Sequence, residues 1–402
     1  MALDNDSDVL VVGGGISGLS MAHLCADAGL SVRLLEAGDA PGGCLHSAQT
    51  PGGFWFEMGA HTCYNSYGGF LNLIEAVGLQ GRLLPRAKVP FRLLVQDEVR
   101  TIASQLSFWE LARNAPRILG LSKEGRTVRE YYGSLVGAGN YERVFGPLLS
   151  AVPSQNADEF PASMLFKKRP RRKDVLRSFA VDGGLQAVAL GLAADARIDV
   201  VTEAAATTIA RQGAGFLATC ADGRRFSARR IAVAVPPDQA APLLAEVAPP
   251  VAAALQSLKT TGVRSYGVAV PKSATPLTPM AGLIPLKGPF FSAVTRDTVP
   301  DASLRGFAFH WPAQTREEDA LAVMCRVLGV QRADFAHLAR RDVILPSPVR
   351  SHAAAVAAID AGLVGTNLAV TGNYFDGLAI EDCVQRSRSE AARWSTALTG
   401  PA

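Results

Sequence analysis

Residues 8–36 constrain this chain more than any other stretch. DVLVV (8–12) is a short apolar run and reads as a buried parallel strand. Gly13, Gly15 and Gly18 follow at the spacing G-x-G-x-x-G, and LSMAHLCADAGL then repeats apolar residues at helical intervals as far as Gly29. A second strand, SVRLLE, closes on Glu36. Each element has a physical purpose. Gly13 permits the tight turn, Gly15 lets backbone approach a pyrophosphate, and Gly18 lets helix and strand pack closely. The helix start offers free N–H groups and a positive dipole end to phosphates. Glu36 stands where a carboxylate accepts hydrogen bonds from ribose hydroxyls, and an acid there disfavours a 2′-phosphate. The strand–helix–strand context predicts a dinucleotide site rather than a glycine-rich turn without a ligand.

Further along the chain, more blocks occur in a fixed order. AGDAPGG places Gly42 and Gly43 just beyond the second strand, and GFWFEMGAH (53–61) carries Glu57 and Gly59. FAVDGGLQAVALGLA (179–193) reads as a glycine turn entering a helix. IDVVTEAAATTIA with ADGRRFSARRIAVAVPP (198–237) reads as a strand, a β-meander and a return strand ending in prolines. LAVTGNYFDGLAIEDCVQRS (368–387) reads as a strand, a turn and a helix. Together these blocks resemble the FAD-dependent superfamily of flavin amine oxidases, phytoene desaturases and protoporphyrinogen oxidases. The GNY-x-x-G-x-x-I-x-D-C stretch resembles the protoporphyrinogen oxidase branch most.

The resemblance implies an α/β fold: a Rossmann-like two-dinucleotide-binding FAD domain with an interrupted substrate domain of sheet plus helical cap. It divides the chain into FAD-domain segments 1–85, 178–262 and 341–402, and substrate-domain segments 86–177 (with the cap) and 263–340. It also implies FAD contacts from Gly13, Gly15, Ser17, Gly18, Glu36, Ala37, Gly42, Gly43, Cys44, Gly59, Ala60, His61, Ala206, Gly372, Asn373, Ala379 and Ile380. Two positions depart from the family pattern. Cys44 stands where many relatives carry arginine directly after the glycine pair, and Ala206 stands where the adenine strand carries valine. The helix starting near Leu378 is expected to aim its amides at the flavin. Cys383 within it reads either as a thioether link to FAD or as a small buried hydrophobe.

The implied chemistry is hydride removal from a carbon held over the flavin, with the protein positioning a hydrophobic cyclic substrate such as a porphyrinogen and oxygen or another acceptor reoxidising the cofactor. The alternatives are an amine oxidase, a carotenoid- or squalene-type desaturase, and a non-catalytic FAD-binding partner protein. Catalytic candidates are His61, Arg92 and Tyr374. His61 reads as a proton carrier beside the flavin or as a structural histidine. Arg92 reads as a partner for substrate carboxylates or as an exposed strand residue, because the family position falls on Phe91 and one residue along a strand changes the face. Tyr374 reads as one wall of an amine cage, with no second wall in sight. His310 and Trp311 read as core, or as lining of the pocket, and His23 as structural.

Composition excludes several classes. The 48% of hydrophobic residues in 402 suits large cores in two or three domains and excludes a mainly disordered chain. Six cysteines without CxxC spacing exclude a disulfide scaffold and a zinc module, so no metal is expected. No run approaches the roughly 20 apolar residues of a membrane-spanning helix, and MALDNDSD carries aspartates where a signal peptide carries Lys or Arg. A cytoplasmic protein, monomeric or homodimeric and peripheral on a membrane at most, is the expectation. FKKRPRRKDVLR (166–177) holds seven basic residues against one acidic residue. It reads as a solvated loop, as a lipid contact with Phe160, Leu165 and Phe166 inserting, or as a guide for an acidic substrate. Nucleic acid is not expected, since no reading module accompanies the run.

Overall fold

In strand Ser7–Val12 every residue except Asp8 is buried, as a central strand covered on both faces requires. The computed structural model describes residues 6–399. Val9 and Val11 turn toward a core shared with helices Ile16–Asp27 and Gln186–Ala193 and the C-terminal helix Ile380–Thr399. Leu10 and Val12 turn the other way, toward the β-meander and helices Pro237–Leu244, Pro249–Gln256 and His352–Leu363. Alternation along one strand thus feeds both layers.

The sheet around this strand runs in the order Ile198–Val201, Val32–Leu35, Ser7–Val12, Arg225–Val233, Gly215–Cys220, Ala206–Gln212. The first four strands pair in parallel and the meander antiparallel. Strand Arg225–Val233 serves two neighbours along one edge. Its first half pairs with the meander, and Ile231–Val233 pairs in parallel with Leu368–Val370. The fold is of the α/β class.

A second seven-stranded sheet runs His337–Pro346, Thr260–Pro271, Leu304–Pro312, Ser292–Thr295, Gly282–Pro285, Phe91–Val95, Glu98–Arg100. One face packs Tyr266, Val268, Phe307, Phe309 and Trp311 against helix Glu317–Leu328. The other face meets Phe54, Phe56 and Met58, which lie on and beside strand Trp55–Glu57 of the hairpin it forms with Ser47–Gln49. Two glycines make that approach possible. A Cβ on Gly267 would lie 2.3 Å from the Met58 sulfur, and one on Gly306 2.8 Å from the Phe56 Cβ. Short helices between residues 103 and 165 pack around Val128, Tyr141, Leu149 and Phe160, and a Thr127–Glu130 capping box starts helix Val128–Val136. Among the described residues no helix is long and apolar enough to cross a membrane.

The sheet-to-hairpin contact predicts that Gly267→Val destabilises by about 1–3 kcal/mol through overpacking. Gly68→Ala, where a Cβ meets nothing within 4 Å, should be neutral. Urea midpoints of the two variants test this; equal midpoints would contradict it.

Candidate functional site

The helix Ile16–Asp27 begins at Gly15 in extended conformation (φ −72°, ψ 174°) with no side chain capping it. Its first amides are therefore bare. Gly18 packs so closely that a Cβ would lie 1.9 Å from the Gly13 carbonyl oxygen. The Gly42 N–H donates to the Gly14 carbonyl (2.9 Å), and Gly15 and Gly42 form an isolated parallel bridge. A Cβ on Gly43 would meet Gly15 Cα at 2.9 Å, whereas a Cβ on Gly15 would find only Gly43 Cα, at 3.8 Å. Open space therefore adjoins the bare helix start, walled by two glycine turns. Glu36 sits at its edge. Its two carboxylate oxygens accept the Gly14 and Gly38 N–H groups, each at 2.7 Å. A bare helix start and a carboxylate one strand away form the donor and acceptor set that a dinucleotide's phosphates and ribose require.

The neighbouring blocks converge here. Cys44 accepts the Ala60 N–H at its carbonyl (3.1 Å), and a Cβ on Gly59 would lie 2.5 Å from the same oxygen. Ser17 accepts the Ser387 hydroxyl at its carbonyl (2.8 Å), which ties the first helix to the C-terminal one. Ile380 begins that helix inside the first core, Asn373 is half-buried in the preceding turn, and Gly372 lies under the Tyr374 ring. Ala37 is exposed just beyond Glu36. Ala206 lies at a bulge, two residues past the amides of Glu203 and Ala204 that bond the Gly38 and Glu36 carbonyls.

Acids occupy the start of the C-terminal helix. Glu381 accepts the Gly69 and Phe70 amides (2.9 and 3.0 Å), capping the helix Gly68–Ala76. Asp382 accepts the Ala379 amide (3.2 Å) and pairs with Arg169 (2.6 Å) and Lys167 (3.3 Å). Part of the basic run is thus a clamp. Arg172 of the same run pairs with Glu75 and Asp174, while Lys168, Arg171, Lys173 and Arg177 are exposed. Phe160 and Leu165, expected to insert into lipid, are instead buried in the core of the short helices between residues 103 and 165, and only Phe166 is exposed. Burial pushes the Cys383 thiol up to about 12, which leaves it unreactive as a nucleophile.

Beyond Gly59 lies His61. Its Nδ1 is 3.1 Å from the Gly59 carbonyl, which only accepts, so Nδ1 carries the proton and Nε2 keeps a lone pair. Burial pulls its pKa down to about 4, with Arg86 acting in the same sense. Arg86 donates to the Thr62 hydroxyl. His310, lowered by burial to about 3 with His61 as a further cause, stands 2.8 Å from the Ser265 hydroxyl. A cleft beside His61 is lined by Trp55, Glu57, Ala180, Val294, Arg296 and Ala308. Arg296 lies over the Trp55 and Phe54 rings (4.4 and 4.6 Å), donates to the Val299 carbonyl (2.8 Å) and keeps Nε buried without a partner. Burial pushes the Glu57 carboxyl up to about 7, against the Ser47 hydroxyl and Leu185 amide that bond it.

Two catalytic candidates do not join this cluster. Arg92 pairs in register with Leu283, on the face that packs against helix Glu317–Leu328, while Phe91 shares the opposite face with Gly282. The one-residue shift does turn the guanidinium away. Tyr374 is 1% exposed in the core of the first sheet, its hydroxyl near the Val235 and Thr371 carbonyls, so it forms no cage wall. His310 and Trp311 part company: Trp311 is core and His310 faces the hairpin side. Sequence reasoning missed Arg86 and Arg296, which stand outside every motif.

A sheet with a glycine cradle at its strand ends faces a second sheet that packs over the half-buried His61, an arrangement suited to a dinucleotide. Residues 16–393 match the model of the flavin containing amine oxidoreductases, and the chain belongs to that family. That family is one of flavin oxidoreductases that bind FAD. Among solved structures it is similar to one called "Putative protoporphyrinogen oxidase" from Exiguobacterium sp. 255-15 (TM-score 0.78, 18% identity, 98% of this chain and 100% of that one). It is also similar to a fatty acid isomerase from P. acnes that produces CLA (TM-score 0.74, 14% identity, 98% and 100%). At these identities the likeness shows the fold. The 15-cis-phytoene desaturase of Narcissus pseudonarcissus is 40% identical over 76 residues, 19% of this chain but 13% of that protein. Mouse amine oxidase B is 38% identical over 78 residues, 19% of this chain and 15% of that enzyme. The matched stretches thus span less than a sixth of these relatives.

The buried groups set a pH dependence of stability. Unfolded, His46, His61 and His310 titrate near 6.5; folded, they titrate at about 4, 4 and 3. The unfolded chain then binds more protons as pH falls below 6.5, so their stabilisation is complete above 6.5 and is lost on acidification. Glu57 has the opposite sign: raised from 4.5 to about 7, it contributes fully below 4.5 and loses that contribution as pH rises through 7. Burial lowers His352 in the same sense, and four histidines against one carboxyl predict a lower Tm at pH 5 than at pH 7.5, with the gap narrowed in His310→Gln. An equal or higher Tm at pH 5 would contradict this.

Proposed function

We propose that the chain is an FAD-dependent oxidase or dehydrogenase that removes hydride from a hydrophobic cyclic substrate bearing carboxylates, with a porphyrinogen as the best-fitting class. The observation that carries this reading is the cleft at His61. Aliphatic and aromatic walls there meet Arg296 and an imidazole held neutral, on which Arg86 acts from outside the lining. In this reading the first-sheet segments 1–85, 178–262 and 341–402 hold FAD through the glycine turns, Glu36 and the turn at 372–380. Segments 86–177 and 263–340 bind substrate.

FAD supplies hydride acceptance when bound. The chain's own residues do the rest. Arg296 anchors a carboxylate, in place of Arg92. Val294, Ala308 and Trp55 exclude water from the apolar part of the substrate. His61 Nε2 accepts the proton of a substrate nitrogen, which becomes acidic once the hydride has left; above about pH 5 this imidazole stays unprotonated. Amine oxidation is disfavoured because Tyr374 is sealed in the core.

Anaerobic mixing of the FAD-loaded protein with protoporphyrinogen IX should bleach the flavin while porphyrin fluorescence appears. His61→Phe should slow that step by about 10²-fold or more with FAD still bound, and Arg296→Leu should raise KM more than it lowers kcat. A flavin that stays oxidised with porphyrinogens but is reduced by amines with ammonia release would overturn the reading.

The cap supports delivery of such a substrate from a lipid surface. Phe108 (64% exposed), Trp109 (78%), Ile118 (65%) and Leu119 (92%) project into solvent beside exposed Arg113, Arg117 and Arg126. Apolar side chains among cations suit an anionic bilayer interface. Co-sedimentation with vesicles containing phosphatidylserine should fall sharply in Trp109→Ser/Leu119→Ser. Wild-type protein that stays in the supernatant would contradict the proposal.

A further inference from the structure

Arg341 has no role in the chemistry above, yet it reaches into the cofactor cradle. It lies on the edge strand His337–Pro346, in register with Ser265; Ser265 is in register with His310, and His310 with Ser292. One polar side chain from each of four adjacent strands therefore stands in a line on one face, the face that presses Gly267 and Gly306 against the hairpin. At the end of that line Arg341 donates from Nη2 to the Gly43 carbonyl at 2.6 Å. Its Nε is buried and has no partner, and among the described residues no carboxylate pairs with it. Arg341 itself is half-buried, but a buried donor left unsatisfied on its guanidinium calls for a ligand that completes it. The neighbouring residue in sequence to the acceptor is Cys44, the position where many relatives of the resembled superfamily carry arginine. Arg341 is near enough to that thiol to oppose the burial that raises its pKa.

We propose that Arg341 delivers, from the second sheet, the FAD-facing guanidinium that position 44 lacks, and that it donates to an oxygen of the cofactor beside the Gly42–Gly43 turn. The charge has moved from the glycine loop to the opposing strand while its target has stayed in place. Arg341 is then a cofactor-binding residue supplied by the second sheet. This proposal rests on the family's FAD and not on the porphyrinogen reading, so a failed substrate test leaves it standing.

The test reconstitutes apoprotein with FAD and follows flavin fluorescence quenching, with the midpoint potential measured on the loaded protein. Arg341→Gln keeps a donor for the Gly43 carbonyl and removes the charge; it should raise the FAD Kd about 10- to 100-fold. The double variant Cys44→Arg/Arg341→Gln should recover most of that loss. Parallel titrations with ADP and with FMN locate the oxygen. A pyrophosphate contact lowers ADP affinity by a similar factor, whereas a flavin contact lowers FMN affinity and moves the potential to more negative values. Arg341→Gln that binds FAD within twofold of wild type at an unchanged potential would overturn the proposal. So would a double variant with no recovery. Should Arg341→Gln lose its fold by circular dichroism, Arg341→Lys carries the test. Its apoprotein should melt like wild type and bind FAD about tenfold more weakly, and unchanged affinity and potential would refute the role.

Discussion

The rest of the site depends on the contact between two backbone turns. Gly15 and Gly43 approach so closely that a single methyl on the second would strike the first, and the Gly42 amide fixes the pair by donating to Gly14. That contact leaves the first helix uncapped at its start and holds Cys44 where its carbonyl orders Ala60, one residue before His61. The cradle for a phosphate and the histidine of the cleft are thus placed by one short stretch of chain. Packing by the second sheet finishes the arrangement. Gly267 and Gly306 allow it to lie on Phe56 and Met58, which brings Ser265, His310 and Arg341 to the same side.

Electrostatics near the C-terminal helix follows the same economy. Two acids in its first turn sit at the positive dipole end, which favours them, and neither is left bare. Glu381 is consumed in capping a neighbouring helix, and Asp382 is neutralised by Lys167 and Arg169 from the basic run. The run therefore has a structural portion and an exposed portion, a division that its composition does not display.

How much of this was legible in the sequence depended on whether the determinant was local. The βαβ unit, the glycine turns and Glu36 are local: spacing alone predicts the strand, the bare helix start and the carboxylate, and the structure shows each of them. Parity along a strand was legible in principle, and it explains why Arg92 and Trp311 turn away while Phe91 and His310 share the other face. Tyr374 misled because its neighbours in sequence are those expected to contact the cofactor while its ring belongs to the core behind them. Arg86, Arg296 and Arg341 were not legible. Arg341 acquires its place from a strand pairing, Arg296 from ring contacts and Arg86 from a hydrogen bond to Thr62, all with residues distant in sequence, and no motif marks them.

Gly15→Val tests the central claim most directly. Gly15 has backbone angles that valine adopts readily, and a Cβ there meets nothing of the protein closer than 3.8 Å, so the side chain would grow into the space assigned to the dinucleotide. The account predicts an apoprotein whose melting temperature matches wild type but which no longer retains FAD on reconstitution and gel filtration. A Gly15→Val protein that binds one FAD per chain as tightly as wild type would contradict it.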